Sequence, residues 1–282
     1  MRVLITNDDG IAAPGLRALA AAVAAAGHEV VVAAPLTEAS GSSAALTVVA
    51  DDGRVVVEPR ELPGLTGVTA YGVGASPAYI ALLGVLEAFG PAPEVVVSGI
   101  NRGANAGHAV LHSGTVGAAF TAANNGRRAL AVSLDVLSPA VAAAATGGAA
   151  IAALDTVDDE ARHWITAAAI APHLLPTLAG TPSGTVLNLN VPDVPAQGLR
   201  GLRRSTLAGF GQVQVAIAEA GAGFVRTSVL ENEAELQPGT DLADLAEGYA
   251  TLTPLYGVRD AGEVEVVLSL PDTFADPAPT SR

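Results

Sequence analysis

Two carboxylates stand side by side in the run Thr6-Asn7-Asp8-Asp9-Gly10, directly after a short apolar stretch. Adjacent acids at the end of a strand repel one another, an arrangement that is unfavourable unless a cation sits between them. Hard oxygen donors of this kind suit Mg²⁺ or Mn²⁺, and a chain without Cys holds nothing to favour a softer metal. Ser40, in Ala39-Ser40-Gly41-Ser42-Ser43, could add a hydroxyl to such a shell. Asn101, in Ser98-Gly99-Ile100-Asn101-Arg102-Gly103-Ala104-Asn105, could add an amide oxygen. A further run, Ser113-Gly114-Thr115-Val116-Gly117-Ala118-Ala119, opens a helix. Free amides and the helix dipole at such a start cradle phosphate, and Gly114 admits it closely. Each run also has a plainer reading. Asp8 can cap the following helix while Asp9 is solvated, and Ser113 can be an ordinary N-cap. Ser40 can be one small residue of a flexible loop, and Asn101 a turn residue. The residues by themselves leave both readings open.

The elements that must position these runs follow from periodicity. Residues 3–6, 29–34, 68–73, 94–97 and 129–134 read as short, Val-rich or Ala-rich strands. Residues 15–26, closed by Gly27, 77–89, with proline in the first turn, and 115–125 read as helices. Asp51-Asp52-Gly53 reads as a hairpin turn between 46–50 and 54–58, and 98–113 as a Gly/Asn loop. Strands alternating with helices argue for an α/β fold, a mostly parallel sheet with helices on both faces. Ligands bind such sheets beyond the carboxyl ends of the strands. The clusters at Asp8-Asp9, Ser40 and Asn101 therefore converge on one sheet edge by topology alone. From about residue 185 the pattern changes: 185–191, 213–218, 224–229 and 263–268 look like strands, separated by Gly-rich turns with little helix. That half reads as a β-rich C-terminal hairpin extension of the same domain. The boundaries expected are 1–184 for the metal- and phosphate-binding core, 185–270 for the extension and oligomerisation segment, and 271–282 for a flexible tail rich in Pro, Ala and Thr.

Composition narrows the function classes. The chain has 282 residues, half of them hydrophobic and only 4% aromatic, so its core is built from Ala, Val and Leu. It has no Lys; fourteen Arg against 28 Asp and Glu leave a net charge of −14. That field repels DNA and RNA, and no basic stripe offsets it, so no nucleic acid polymer is expected as a partner. The lack of Cys excludes a disulfide scaffold, a zinc–thiolate site and a thiol nucleophile. The first apolar stretch ends at two acids, unlike an export signal. The apolar region 139–154 is broken by Gly147 and Gly148 and too short to cross a bilayer. The expectation is a soluble, cytoplasmic protein with no membrane partner. No G-x-G-x-x-G follows the first strand and no P-loop is present, so dinucleotide and P-loop readings lack their fingerprint. Asp8-Asp9 also lacks the D-x-D spacing of aspartyl-nucleophile phosphatases. His108 and His112 lie in a Gly-rich run and read as packing or substrate-side residues rather than zinc ligands.

Taken in order, these runs resemble a known family. MRVLITNDDGIAAPGLRAL at 1–19, VVAAP at 31–35, Ser40-Gly41, SGINRGANAG at 98–107 and HSGTVGAA at 112–119 resemble the signatures of the SurE family of 5′/3′-nucleotidases. ALAVSL at 129–134, LNLNVPDV at 187–194 and PGTDLADLAEGYATLTPL at 238–255 continue the resemblance, which spans roughly residues 1–260. It implies a Rossmann-like domain with a β-hairpin extension, a C-terminal segment exchanged between subunits, and a homodimer or homotetramer. It further implies one divalent metal ion per subunit, Mg or Mn, on Asp8, Asp9, Ser40 and Asn101, with Asp8 and Asp9 catalytic. Asn105, Ser113, Gly114 and Thr115 would then face phosphate. The activity implied is hydrolysis of nucleoside 5′- and 3′-monophosphates, with short polyphosphate as a substrate of some members. The alternative is a non-catalytic or retargeted nucleotide- or phosphate-binding protein on the same fold. Three departures bear on substrate preference. Ala39 replaces a common Gln or Arg, Ala75-Ser76-Pro77-Ala78-Tyr79 replaces GTPAD, and Phe120-Thr121 stands where a Glu usually follows the helix start.

Overall fold

Alternate residues of the first strand, β1 (Arg2–Thr6), belong to opposite layers, as the two-residue period of a strand requires. Val3 and Ile5 join one apolar cluster and Leu4 the other. The computed structural model describes residues 1–48, 50–136, 159–210, 213–222, 224–231 and 235–259. The strand expected at 263–268, the apolar region 139–154 and the tail from Pro271 lie outside these residues.

After β1 come α1 (Pro14–Ala25), β2 (Glu29–Pro35) and three short strands, β3 (Ala50–Asp51), β4 (Arg54–Val55) and β5 (Val57–Arg60). Next are β6 (Thr69–Val73), α2 (Pro77–Val85), β7 (Val95–Arg102), α3 (Gly114–Asn124) and β8 (Arg128–Asp135). The second half holds α4 (Trp164–Ala179), β9 (Thr185–Pro192), β10 (Leu202–Arg204), β11 (Val213–Gly221), β12 (Phe224–Glu231), α5 (Asp241–Ala246) and β13 (Ala250–Tyr256). The turn expected at Asp51-Asp52-Gly53 joins β3 to β4, with Asp52 and Gly53 both at positive φ. Its two-residue geometry matches the twist of an antiparallel pair.

Nine strands form one sheet in the order β10-β13-β9-β8-β7-β1-β2-β6-β5. The run from β6 to β9 is parallel throughout; β5 and β13 pair antiparallel at its two margins. Helices α1 and α4 bury Leu16, Leu19, Leu175 and Leu178 on one face. Helices α2 and α3 bury Ile80, Ala81, Val116 and Ala119 on the other. Ala-rich faces allow this close layering where aromatics are scarce.

The sheet does not break at residue 185. β9 lies beside β8 near its middle, and β10 and β13 extend the same sheet, so the core runs past the boundary expected after residue 184. Gly-rich turns and short strands look alike in a core and in an extension, and sequence periodicity does not encode strand order. What stands apart is the antiparallel pair β11–β12. Helix α4 has no clean signal in the sequence, because Pro172 and Pro176 interrupt its run.

Strand order reverses direction at β1, whose neighbours are β2 on one side and β7 on the other. Such a switch point opens a crevice at the strands' carboxyl ends. Asp8 and Asp9 follow β1, Ser40 follows β2, and Asn101 lies at the end of β7.

Candidate active site

A side chain that sequence reading left without a role builds the turn that carries the acids. Asn7 is fully buried; its amide donates to the Gly10 carbonyl (3.0 Å) and its Oδ1 accepts from the Gly10 amide (3.2 Å). This local ring closes the chain around Asp8 and Asp9. Helix α1 then begins at Pro14 with Ala13 in the cap position and no side-chain cap, so Asp8 is not used to cap it.

Asp8 is buried, and Thr115 at the start of α3 grips it. The Thr115 amide donates to Oδ2 at 3.2 Å, and its hydroxyl donates to Oδ1. Burial nevertheless pushes the Asp8 carboxyl above its ordinary value, because these bonds recover only part of the lost hydration. Asp9 is more exposed and accepts from the Arg102 amide at 3.2 Å. Burial, and then the neighbouring Asp8 charge, push it up to about 7. Two acids held this way are short of positive charge, which is the condition a cation relieves. Among the described residues no cluster of three or more His, Cys, Asp or Glu is placed to hold a metal ion, so the site has only these two carboxylates.

The other expected ligands sit close by through the backbone. The Ala39 amide donates to the Asp8 carbonyl (2.7 Å), which fixes the loop after β2 against the acidic turn. Ser40 comes next, exposed, with its hydroxyl donating to Glu38 (2.7 Å) rather than to either Asp. Asn101 spends its amide nitrogen on the Gly103 carbonyl (2.7 Å), leaving Oδ1 as the acceptor end. β7 reaches Arg102, beyond the expected end at 97, because a register shift between Ser98 and Asn101 lets pairing with β8 resume. A donor set of two carboxylates, a hydroxyl and an amide oxygen fits a hard divalent ion.

The four expected phosphate-side residues are placed in four different ways. Ser113 caps α3, its hydroxyl accepting from the Val116 amide (3.1 Å), as its plainer reading has it. Thr115, expected to offer its amide to phosphate, turns it to Asp8 and so positions that carboxylate. Gly114 sits at a notch: a Cβ there would lie 2.7 Å from both Asp8 Oδ2 and Ser42 Oγ. The Ser42 hydroxyl is buried without a hydrogen-bond partner. A methylene at Gly117 would strike the Ser43 carbonyl, so two glycines of α3 let the Ser40–Ser43 loop lie on the helix start.

Asn105 is tied to the other side of the crevice. Its amide group donates to Ser133 Oγ (2.9 Å), its backbone amide donates to Asn190 (2.8 Å), and its carbonyl accepts from Asn188 and Asn190. Strand register puts Asn101, Ser133 and Asn190 in one row across β7, β8 and β9. Ser133, Asn188 and Asn190 escaped sequence reading, since they read as ordinary positions of apolar strands; the alternation of Asn188 and Asn190 with buried leucines was the available signal. His108 and His112 are exposed on a 3₁₀ turn, Gly107–His112.

A family model described as Survival protein SurE matches residues 3–213. The chain is 38% identical over 258 residues to a 5′-nucleotidase SurE of Nitratidesulfovibrio vulgaris (strain DP4), covering 90% of this chain and 93% of that protein. It is 35% identical over 260 residues to a 5′/3′-nucleotidase SurE of Edwardsiella ictaluri (strain 93-146), covering 90% and 89%. The crystal structure of a SurE protein from Aquifex aeolicus superposes with a TM-score of 0.70 at 25% identity, covering 93% of this chain and 96% of that one. Among the described residues no helix is long and apolar enough to cross a membrane.

Proposed function

This chain belongs to the survival protein SurE family, and from that premise we propose a divalent-metal-dependent phosphomonoesterase that hydrolyses nucleoside 5′-monophosphates, and 3′-monophosphates, to nucleoside and phosphate. The observation that carries this reading is the Asp8–Asp9 pair, raised in pKa by burial at the switch point and set against the start of α3.

Asp8, Asp9, Ser40 and Asn101 would hold one Mg²⁺ or Mn²⁺ per subunit. When bound, such an ion polarises a phosphoryl oxygen and makes water more acidic. Thr115 keeps the Asp8 carboxylate in one orientation, and the Arg102 amide does the same for Asp9. The amide end of α3, with the Gly114 notch and the free Ser42 hydroxyl, supplies fixed dipoles for the charge on the phosphoryl oxygens. Asn105 borders the same crevice. Asp9, the more exposed acid, orients the attacking water. The water oxygen bonds to phosphorus, the phosphorus–ribose oxygen bond breaks, and the departing oxygen takes up one proton.

Assembly into a homodimer or homotetramer is part of the proposal. Hairpin β11–β12 exposes Ile217 (71%), Phe224 (50%) and Val225 (62%), an apolar surface that suits burial against another copy. The test of function is a phosphate-release screen of 5′- and 3′-mononucleotides after chelation, with and without added Mg²⁺ or Mn²⁺. Release that depends on the metal is expected. Metal-dependent nucleotide binding with no release from any mononucleotide would replace the hydrolase with a binding protein.

A further inference from the structure

The Ser40 hydroxyl has one proton and two lone pairs to direct. A cation takes lone pairs, so the proton must point elsewhere. The backbone of its loop is already tied down, by the Ala39 amide on the Asp8 carbonyl (2.7 Å) and the Ser42 amide on the Ala39 carbonyl (3.3 Å). What remains free is the hydroxyl rotor, and Glu38 Oε1 stops it by accepting the proton at 2.7 Å. Ser40 Oγ is then left with acceptor capacity alone.

Glu38 is exposed, and an exposed carboxylate without a second contact samples several rotamers. Arg102 supplies that contact: its Nη2 lies 3.8 Å from Glu38 Oε2, while its Nη1 lies 3.4 Å from Asp159 Oδ2. Asp159 is fastened in turn by Arg162 Nε at 2.9 Å, and the Arg162 side chain is only 3% exposed. The ion pairs therefore run outward from a buried guanidinium to the Ser40 hydroxyl. Exposed pairs contribute little to stability, so what this chain of contacts supplies is direction. Arg102 serves three of the proposed ligands at once. It follows Asn101 in sequence, its amide donates to Asp9 Oδ2 at 3.2 Å, and its side chain braces the partner of Ser40.

We propose that Glu38 is a positioning residue of the metal shell: it holds the Ser40 hydroxyl so that lone pairs alone are presented to a divalent ion, and Arg102 braces it from Asp159. The inference rests on the divalent-metal reading above. Glu38 has a second effect, through its charge. After burial and nearer groups, that charge adds to the upward push on the Asp8 and Asp9 carboxyls, and it would attract a cation with no help from Ser40. Arg102 separates the two effects by sign. Removing its positive charge tightens a cation on charge grounds alone, and loosens it if Arg102 serves to hold Glu38.

The test is calorimetric titration of the chelated full chain with Mn²⁺ at about 0.15 M salt, where exposed charges are screened beyond about 8 Å. Glu38→Ala and Ser40→Ala should each weaken Mn²⁺ about tenfold, the lower end for a lost outer partner of a metal ligand. The double variant should bind no more than about twofold worse than Ser40→Ala, because the two residues act as one. Glu38→Gln keeps a carbonyl to accept from Ser40 and should recover most of the loss. Arg102→Met, which keeps the backbone amide on Asp9, should weaken Mn²⁺ severalfold. If Arg102→Met unfolds, the Glu38–Ser40 cycle, made on two exposed residues, decides. Singles that add to about a hundredfold in the double variant, a Gln variant as weak as Ala, or an Arg102→Met variant that binds more tightly than wild type overturns the positioning role and leaves the metal site standing. Absence of Mn²⁺ binding by the wild type at millimolar concentration removes the metal reading and this inference with it.

Discussion

Thr115 bonds both oxygens of the Asp8 carboxylate, one through its amide at 3.2 Å and one through its hydroxyl. The chain brings together residues 107 positions apart to do so, and the amide bond will form with any residue at 115. Only the hydroxyl depends on the side chain. Thr115→Val keeps the shape and removes that bond. Divalent-metal affinity should fall roughly tenfold, while the fold loses about 1–2 kcal/mol, the worth of one hydrogen bond to a charged group. Thr115→Ser should restore both. Calorimetric metal titration beside urea unfolding measures them; a Val variant with wild-type metal affinity removes Thr115 from the positioning role.

Asp8→Asn and Asp9→Asn should each abolish metal-dependent phosphate release and leave the fold intact. Each removes one of only two charged donors in the proposed shell, which a hard cation tolerates poorly. Near-wild-type turnover by either variant at moderate metal concentration counts against the assignment.

The same carboxyls set a pH dependence in the metal-free protein. Both are raised above 3.8, Asp9 to about 7, so the folded chain keeps protons that the unfolded chain has released. For Asp9, stability then falls as pH rises between about 4 and 7, and Asp8 contributes a loss of the same sign. Asp9→Asn has no such proton to lose. Its Tm should exceed that of the chelated wild type at about pH 8 by several degrees, and match it more closely near pH 5. Saturating Mg²⁺ should reverse the order by stabilising the wild type alone. Differential scanning calorimetry at both pH values decides it; a Tm difference that grows toward acid has the wrong sign.

Asp241 is fully buried and accepts three backbone N–H groups, from Gly107 (2.8 Å), Ala208 (2.9 Å) and Leu242 (2.9 Å). It joins the Asn105 loop, the base of the β11–β12 hairpin and α5 at one point. Asp241→Ala should lower unfolding free energy by about 3–5 kcal/mol, since it leaves buried donors without acceptors. Urea denaturation measures this, and a loss under about 1 kcal/mol would show that water replaces the carboxylate.

Ile217→Lys with Val225→Lys places two charges on the exposed hairpin. The double variant should scatter light as a monomer at micromolar concentration, where the wild type scatters as a dimer or tetramer. A wild-type monomer with full activity would remove the oligomer from the proposal.

The strands around Val3, Val30 and Val95, and the helix over Pro14–Ala25, were legible because each repeats apolar residues at one period. The convergence of Asp8, Ser40 and Asn101 was legible too, since parallel strands put their carboxyl ends on one edge. The plainer reading of Ser113 and the structural use of Thr115 were not separable in advance from phosphate binding, because a helix start offers the same amides to either. The ion pairs of Arg102 with Glu38 and Asp159 span 64 and 57 residues, and no local pattern announces such a partner. Nor does periodicity reveal that β9 lies beside β8 in the central sheet rather than in an appendage.

The order of strands has a consequence for the newborn chain. Asp8 and Asp9 leave the ribosome before any strand that pairs with β1, yet β1 gains its second neighbour only when β7 emerges, and the Asn105 loop waits for Asn188, Asn190 and finally Asp241. Contacts of such sequence separation form slowly, and a half-made sheet leaves an unpaired edge while it waits. Ribosome-bound fragments ending near residue 184 should therefore stay protease-sensitive, whereas fragments carried past β13 should become resistant. Residues translated before the rest of the sheet are thus put to use only after it.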